Sequence, residues 1–324
     1  MQLILAPMEG LVDVHMRTLL TRAGHFNYCV TEFLRISQQL LPESVFFRLC
    51  PEAHNGWKTP SGTPVHLQLL GNDLHAMAEN ACRAAELGAP AININFGCPS
   101  RFVNGRCGGA YLLQYPEQIH ELLLTIRKAL PVEVPLTAKM RLGFHDDTLA
   151  LENAMAMDSA GIDSLCIHAR TKKQGYRPPA HWHKIQEIKQ HIHAPLIANG
   201  EIWDKQDFLN CQIASGCEHI MIGRGAVANP NLAAIIRGKP AESDELNWHV
   251  RLHDLVWMLD QLINDGAAKH AHGRIKQWFS FLKLTYHQAQ PLFEQIKTVR
   301  DATMIRQSLC DEIKRSEDLK ISVY

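Results

Sequence analysis

The segment HIMIGRGA, residues His219 to Ala226, is a short apolar run that ends in glycine and arginine. Seven earlier runs in the chain are likewise short and apolar, and each is followed by an amphipathic stretch. The eight runs are Gln2–Ala6, Tyr28–Phe33, Val65–Leu70, Ala91–Phe96, Leu136–Leu142, Ser164–Ala169, Pro195–Ala198 and His219–Gly223. Near-continuous apolar character is typical of parallel strands that are covered on both faces. The sequence therefore predicts eight such strands.

The stretches between the runs have the signals of helices. Asp73 can cap a helix that Gly88 ends, and Asp147 and Gly161 bracket another. The isoleucines of Ile185–Ile192 mark a third helical stripe. Alternating strands and helices over residues 1–240 predict an α/β fold, a (β/α)₈ TIM barrel. A doubly wound open sheet is the alternative, but no G-x-G-x-x-G segment follows the first strand.

The pattern changes after Lys239-Pro240. Asn247–Asp265 carries a helical stripe of leucines, and further helical patterns follow in Ile275–Leu282 and Phe293–Val299. We therefore predict a catalytic barrel domain of residues 1–240 and a small all-helical domain of residues 241–324. The acidic segment Ala241–Glu245 is the predicted linker.

Composition limits the class of protein. The 324 residues include 33 basic and 33 acidic side chains, so overall charge does not argue for a nucleic-acid partner. The nine cysteines have no C-x-x-C spacing and the histidines no H-E-x-x-H spacing, which predicts neither a disulfide framework nor a metal site. No basic leader and no apolar stretch of membrane-spanning length is present. We expect a soluble, cytoplasmic protein that is monomeric and contacts no membrane.

Polar residues follow nearly every predicted strand, at the end where TIM-barrel enzymes carry out their chemistry. They are Pro7–Gly10, Thr31 and Glu32 with Arg35, Gln68, Asn93 with Asn95 and Cys98, Lys139 with Arg141, His168 with Arg170, Asn199–Glu201 and Gly223–Gly225. Each alone has a plain structural explanation: Cys98 as a small buried residue, Lys139 as half of an internal ion pair with a glutamate, His168 as a core histidine. Together they indicate a ligand-binding or catalytic site.

Two glycine-containing loops, after strands seven and eight, lie where this fold often binds phosphate. They read ANGEIWD and IGRGA, and Arg224 can add a charged contact to phosphate. A flavin mononucleotide (FMN) would satisfy this arrangement, with Lys139 holding negative charge at the N1–O2 edge of the ring and Gln68 bonding to the ring edge. A Schiff-base aldolase that uses Lys139 is a competing interpretation.

Seven ordered motifs resemble those of the tRNA-dihydrouridine synthases. They are APMEGLVD at Ala6–Asp13, TEFLRI at Thr31–Ile36, NINFGCPSRFVNGRCGGAYLL at Asn93–Leu113, AKMRLG at Ala138–Gly143, IHARTKKQGY at Ile167–Tyr176, IANGEIWD at Ile197–Asp204 and MIGRGA at Met221–Ala226. In the tail, RIKQWFSFL at Arg274–Leu282 is most similar to the bacterial C-type branch of the family, which acts on the D-loop nucleotide at position 16. Phe96 departs from the family pattern and is expected to reshape the base pocket. Cys107 is a second thiol on the same loop as Cys98.

The resemblance implies roles for individual residues. Cys98 would be the catalytic acid, and Arg35, Asn95 and Arg141 would contact tRNA. Flavin contacts are implied at Pro7, Met8, Glu9, Gln68, Lys139, His168, Asn199, Gly200, Glu201, Gly223 and Arg224.

The family's reaction is the reduction of a uridine to 5,6-dihydrouridine. NADPH or NADH would reduce FMN, hydride would pass to C6 of uracil, and Cys98 would protonate C5. The target base must leave its stack to enter a barrel mouth.

The tail carries a local excess of positive charge despite the neutral total. Between Gly266 and Cys310 there are seven lysines and arginines but only two acidic residues. Phosphate contacts from such a surface would give salt-dependent tRNA binding. We expect Arg274, Lys276 and Lys297 to contribute first.

Two further alternatives stay open. Another FMN barrel enzyme, similar to dihydroorotate dehydrogenase and acting on a small pyrimidine, would not need the basic tail. A non-catalytic tRNA-binding protein could also have kept the fold.

Overall fold

The computed structural model describes residues 1–240 and 243–321. Contacts divide the chain into two compact units, Met1–Gly223 and Arg224–Tyr324. The segment from 224 to 240, which the sequence assigned to the barrel domain, groups with the helical unit by this measure. Of the predicted linker, Ala241 and Glu242 lie outside the described residues, and Asp244 already begins a helix that Ser243 caps.

The first unit is a closed barrel of eight parallel strands in sequence order, with the last strand pairing with the first. The strands are β1 (Leu3–Leu5), β2 (Tyr28–Arg35), β3 (Val65–Leu70), β4 (Ile92–Phe96), β5 (Leu136–Arg141), β6 (Ser164–His168), β7 (Leu196–Asn199) and β8 (His219–Ile222). The predicted TIM barrel is confirmed, and each predicted run coincides with a strand apart from one or two residues at its ends.

Helices surround the barrel, and α3, α5, α6, α7 and α8 pack as successive neighbours. The helices of this unit are α1 (Val14–Thr21), α2 (Glu43–Leu49), α3 (Leu74–Glu86), α4 (Arg101–Asn104), α5 (Pro116–Ala129), α6 (Ala150–Ser159), α7 (His183–Lys189) and α8 (Lys205–Ser215). Two 3₁₀ segments, Pro51–Asn55 and Gly109–Gln114, complete it.

The predicted cap at Asp73 is confirmed, because its carboxylate accepts a hydrogen bond from the Ala76 backbone N–H at 2.9 Å. Asp147 does not cap α6 with its side chain; its backbone carbonyl accepts from the Ala150 N–H at 3.0 Å. Ile192 lies beyond the end of α7. The predicted stripe therefore included one isoleucine, Ile192, that is not part of the helix.

The inside of the barrel is filled in layers, as is usual for this fold. Near the amino ends of the strands, the rings of Tyr28 and His66 stack with centroids 4.0 Å apart. Next comes an apolar layer of Ile4, Ala6, Val30, Cys166, Ile197 and Met221. The carboxyl-end layer, above this apolar one, contains hydrogen-bonded polar side chains such as Gln68, Asn93 and Asn199.

A buried ion pair joins α1 to the 3₁₀ segment at Pro51–Asn55. Arg17 Nε donates to Glu52 Oε1 at 2.7 Å, and Arg17 Nη2 donates to Glu52 Oε2 at 2.9 Å. Arg17 is completely buried and Glu52 is 4% exposed. The bidentate geometry makes this a strong ion pair. Removal of either side chain would leave the charge of the other without a partner inside the protein.

The second unit is helical throughout its described residues. Its helices are α9 (Arg224–Ala228), α10 (Leu232–Ile236), α11 (Asp244–Asn264), α12 (Ala268–Leu282), α13 (Ala289–Ile296) and α14 (Ala302–Ile321). Trp278 is fully buried, and its indole N–H donates to the Val227 carbonyl at 3.0 Å, which fixes α12 against α9. In the part of the chain that the structure describes, no helix has an apolar stretch sufficient to cross a membrane.

Candidate active site

A chain of amide side chains at the barrel mouth runs from β4 to the adjacent strand β3 and back. Asn95 Nδ2 donates to Gln68 Oε1 at 2.7 Å, and Gln68 Nε2 donates to Asn93 Oδ1 at 2.7 Å. Asn93 Nδ2 then donates to the Thr137 hydroxyl on β5 at 2.8 Å. Alternate residues of a strand point to the same face, so this pattern shows that Asn93 and Asn95 both face the barrel interior.

The same alternation places Phe96 on the opposite face of β4. Its side chain is completely buried, and its neighbour Asn95 faces inward. Phe96 therefore packs in the layer between strand and helices. The expectation that it reshapes the base pocket is not supported by this position.

Asn95 also holds the loop that carries Cys98. Its Oδ1 accepts hydrogen bonds from the backbone N–H groups of Gly97 at 2.8 Å and Cys98 at 2.9 Å. Its predicted contact with tRNA stays a prediction, whereas its role in positioning Cys98 is visible in the structure.

The Cys98 thiol is partly buried at the mouth. Burial raises its pKa above the ordinary value, and the charge of Glu9 acts in the same direction. A backbone hydrogen bond at Ser100 and the charge of Arg141 oppose this shift without reversing it. The sulfur is therefore held as a thiol near neutral pH, the protonation state that a proton donor requires.

Lys139 lies on β5, beside Asn95 of the adjacent strand β4. Its ammonium group donates to Asn199 Oδ1 at 3.0 Å, and Asn199 Nδ2 donates to the Met221 carbonyl at 2.8 Å. No carboxylate lies within ion-pair distance of Lys139 among residues 1–240 and 243–321, so the internal pair with a glutamate is not observed. Burial lowers the pKa of Lys139. A cation in this state would be stabilised by an anionic or electron-rich ligand.

The loops after β6 and β7 meet at His168. Gly200 has φ of +118°, and a Cβ there would lie 2.8 Å from His168 Cδ2, so only glycine fits. Glu201 forms an ion pair with Arg170 and accepts a hydrogen bond from the Trp203 indole at 2.8 Å. Through Arg170 and Trp203 the Glu201 carboxylate links the loops after β6 and β7.

The loop after β1 brings Pro7, Met8 and Glu9 to the mouth. Glu9 is exposed, and partial enclosure of its carboxyl together with the nearby charge of Glu32 raises its pKa to about 7. Gly223 follows β8 directly, and a Cβ there would lie 3.2 Å from Met8 Sδ. Arg224 is the first residue of α9.

The predicted tRNA contacts of the barrel have different environments. Arg141 is buried: its guanidinium donates to the carbonyls of Gly97 at 2.8 Å, Thr171 at 3.2 Å and Gly175 at 2.9 Å. It therefore ties the loops after β4 and β6 together. Its contact with tRNA stays a prediction.

Arg35 belongs to a cluster that the sequence analysis missed. Its guanidinium and that of Arg106 each lie 4.4 Å from the centre of the Phe102 ring, and that ring is 60% exposed. Arg35 and Arg106 also line a cavity of about 370 Å³ beside the loop after β3. The available signal was RFVNGR at Arg101–Arg106, an aromatic residue between basic ones on the Cys98 loop. Cys107, the second thiol, is exposed and has φ of +55°.

The three predicted tail residues are half-buried or exposed. Arg274 bonds to Gln277, Lys276 donates to the Val299 carbonyl and Lys297 pairs with Glu294. Burial lowers the pKa of Lys276, and the charge of Arg300 adds to this effect. Lys276 on α12 and Arg300 in the segment after α13 therefore lie close enough for their charges to repel each other.

The structure thus brings Cys98, Gln68, Lys139, His168 and Asn199 to one mouth, as their positions at the strand ends predicted. In chemical terms this mouth offers a cation, several amide donors and acceptors, and a protonated thiol.

Comparison with known proteins identifies the family. The model of the family described as dihydrouridine synthase matches residues 4–322. The tRNA-dihydrouridine(16) synthase of Shewanella oneidensis is 47% identical over 297 residues, which are 92% of this chain and 93% of that protein. The protein of the same name from Ralstonia nicotianae is 45% identical over 305 residues, or 94% of each chain.

Solved structures agree on the fold alone, because their sequences are distant. A 2-naphthoyl-CoA reductase is 15% identical with a TM-score of 0.56, over 74% of this chain and 50% of that one. DHODH from Eimeria tenella is 13% identical with a TM-score of 0.56, over 73% of this chain and 79% of that one. With the family model spanning nearly the whole chain and relatives this similar in sequence, the chain belongs to the dihydrouridine synthase family of enzymes.

Proposed function

We propose that the chain is an FMN-dependent tRNA-dihydrouridine synthase that reduces the C5=C6 bond of the D-loop uridine at position 16. The observation that carries the proposal is the arrangement at the barrel mouth, where Lys139 is the register neighbour of Asn95 and Asn95 holds the backbone of Cys98. The names of the relatives support tRNA as the substrate and position 16 as the target. The cytoplasm is the matching location.

The residues of the mouth fit a flavin. Lys139 donates to Asn199 and, within the described residues, forms no ion pair with a carboxylate, so it can neutralise charge at the N1–O2 edge of an isoalloxazine. Gln68 is completely buried, and Asn93 and Asn95 hold its amide, which would hydrogen-bond the edge of the flavin ring. When bound, FMN that NADPH or NADH has reduced would supply the hydride for C6 of uracil.

Other predicted contacts would complete the cofactor site. The Pro7–Glu9 loop, His168, Asn199, Gly200 and Gly223 lie at the same end of the barrel. Arg224, which follows Gly223 in the chain, would bind the phosphate group. Glu201 would act through its pair with Arg170, which holds the Gly200 turn.

Cys98 would deliver the proton to C5. Addition of hydride to C6 would leave negative charge on C5. A thiol that burial keeps protonated can donate its proton to that carbon. Asn95 holds the backbone that carries the thiol, through its hydrogen bonds to the N–H groups of Gly97 and Cys98. The uracil reaches this point only after leaving its stack.

The direct test is dihydrouridine formation by the purified full chain. Unmodified tRNA transcript, FMN and NADPH are incubated with it, and the digested tRNA is analysed by mass spectrometry. We expect two added hydrogens at one D-loop uridine, position 16, and none in a matched transcript with cytidine there. Reduction of a free pyrimidine but not of tRNA would favour a dihydroorotate dehydrogenase-like enzyme. Borohydride trapping at Lys139 would favour an aldolase, and tRNA binding without reaction a non-catalytic binder.

The basic tail makes a second prediction. Arg274→Ala and Lys276→Ala should each weaken tRNA binding and each lower the slope of log affinity against log salt by about 1, because each removes one phosphate contact. Lys297→Ala should have a smaller effect, since Lys297 is already paired with Glu294. The measurement is filter binding or fluorescence anisotropy over a range of salt concentrations.

Lys128, near the carboxyl end of α5 and so at the opposite end of the barrel from the mouth, supplies the matched control. Lys128→Ala should leave both affinity and slope unchanged. Affinity that does not vary between low and high salt would rule out the tail surface as the tRNA contact.

A further inference from the structure

Three potential metal ligands meet in the helical unit, in a cluster that the proposed function does not use. His249 and His253 lie one turn apart on α11, and Glu317 lies on α14, which packs against α11. The nitrogen and oxygen atoms that could bind a metal all lie within 4.8 Å of one another. The contact spans two helices, so it is not explained by helical spacing alone.

The separation of the two imidazoles matches a shared metal. His253 Nε2 lies 3.2 Å from His249 Nε2. Two nitrogens bound to tetrahedral zinc at 2.0–2.1 Å lie about 3.3 Å apart. Glu317 Oε1 is 3.9 Å from His249 Nε2, so its carboxylate lies next to the same point.

Ser316 fixes the tautomer of His249. The serine hydroxyl donates to the Ile313 carbonyl at 2.7 Å, so its oxygen is left to accept from His249 Nδ1 at 2.9 Å. A proton on Nδ1 places the imidazole lone pair on Nε2, the atom that faces His253 and Glu317. Metal-binding histidines usually have such a partner on their other ring nitrogen.

We propose that His249, His253 and Glu317 form a binding site for a divalent transition-metal cation, with zinc as the best match to two imidazoles and a carboxylate. His253 and Glu317 are exposed, so water can complete the coordination. A bound ion would cross-link α11 to α14. The inference departs from the expectation of no metal site: the sequence signal is HVRLH at His249–His253, two histidines four residues apart.

The test is calorimetric titration of the metal-stripped full-length protein with zinc chloride. The wild type should bind one zinc ion more than His253→Gln does. Glu317→Gln should lower the affinity of that site at least tenfold, and Ser316→Ala should lower it about 10- to 100-fold, the effect typical of removing the partner of a ligating histidine. His287→Gln, an exposed histidine of the same unit, should bind as the wild type does.

Cysteines also bind zinc, so cobalt(II) provides the second readout. Cobalt at this site should show tetrahedral d–d absorption without a thiolate charge-transfer band, and His253→Gln should lose that absorption. Equal zinc titrations of wild type and His253→Gln, no binding by the wild type at micromolar zinc, or a cobalt spectrum dominated by thiolate would each overturn the proposal.

Discussion

Replacing Cys98 with alanine is expected to lower dihydrouridine formation by about 10²- to 10⁴-fold, the usual contribution of a positioned general acid. In the proposed reaction the Cys98 thiol is the proton donor, and its raised pKa keeps that proton in place near neutral pH. Alanine leaves C5 to be protonated by water in place of the thiol. The measurement is single-turnover dihydrouridine formation, followed by mass spectrometry of the tRNA.

Two controls separate a chemical effect from a structural one. FMN content and reduction by NADPH should be unchanged in Cys98→Ala, because neither step needs the thiol. Cys107→Ser alters the exposed thiol of the same loop and should keep nearly full turnover. Full turnover in Cys98→Ala together with loss in Cys107→Ser would assign the acid to the other cysteine.

Replacing Glu52 with glutamine is expected to lower the free energy of unfolding by about 3–5 kcal/mol, because it leaves the Arg17 charge buried without its carboxylate. Arg17 is completely buried, and both of its bonds to Glu52 are 2.9 Å or shorter. Urea denaturation followed by circular dichroism measures the loss. Glu86→Gln, in the exposed Arg83–Glu86 pair, is the matched control and should cost at most about 1 kcal/mol.

The same variant should change the response to acid. Burial alone would raise the pKa of Glu52, but the hydrogen bond and charge of Arg17 outweigh it and hold the pKa below its ordinary value. The pair therefore contributes its full share of the free energy of unfolding above pH about 4.3, the pKa of Glu52 in the unfolded chain. That contribution is lost as the pH falls through the lower pKa of Glu52 in the folded protein. Glu52→Gln should flatten this acid-dependent part of the stability curve. Equal acid sensitivity in both proteins would contradict this account of the pair.

The fold was predictable because its signal is repeated along the chain. Eight apolar runs with polar ends predict a barrel even if the start or end of one strand is misplaced by a residue or two. Each run coincides with a strand. The mouth followed from the same rule, since the carboxyl ends of parallel strands converge. Lys139, Gln68 and Cys98 were therefore placed together by strand position alone.

The partners of those side chains were not predictable. Sequence order does not show that Asn95 bonds to Gln68 and to the Cys98 loop, or that Arg141 is buried under three carbonyls. Such bonds depend on register between strands. Phe96 is different, because alternation from Asn93 and Asn95 already assigns it to the outer face.

Clusters between distant segments were also missed. Phe102 is contacted by an arginine of its own loop and by Arg35, which is far from it in sequence. His249 and Glu317 are likewise brought together only by the packing of two helices. The sequence pattern of one segment identifies the residues that this segment contributes to a cluster. The residue from the distant segment is identified only by the tertiary structure.

The amide chain at the mouth links the position of the Cys98 backbone to side chains of β3 and β4. Asn95 accepts from the Cys98 N–H and donates to Gln68, and Gln68 donates to Asn93. A substitution at any one of these three positions removes a hydrogen bond from its neighbour, so the effects of substitutions here are expected to be non-additive. Engineering of the enzyme's base preference should therefore treat the three amides as a single unit.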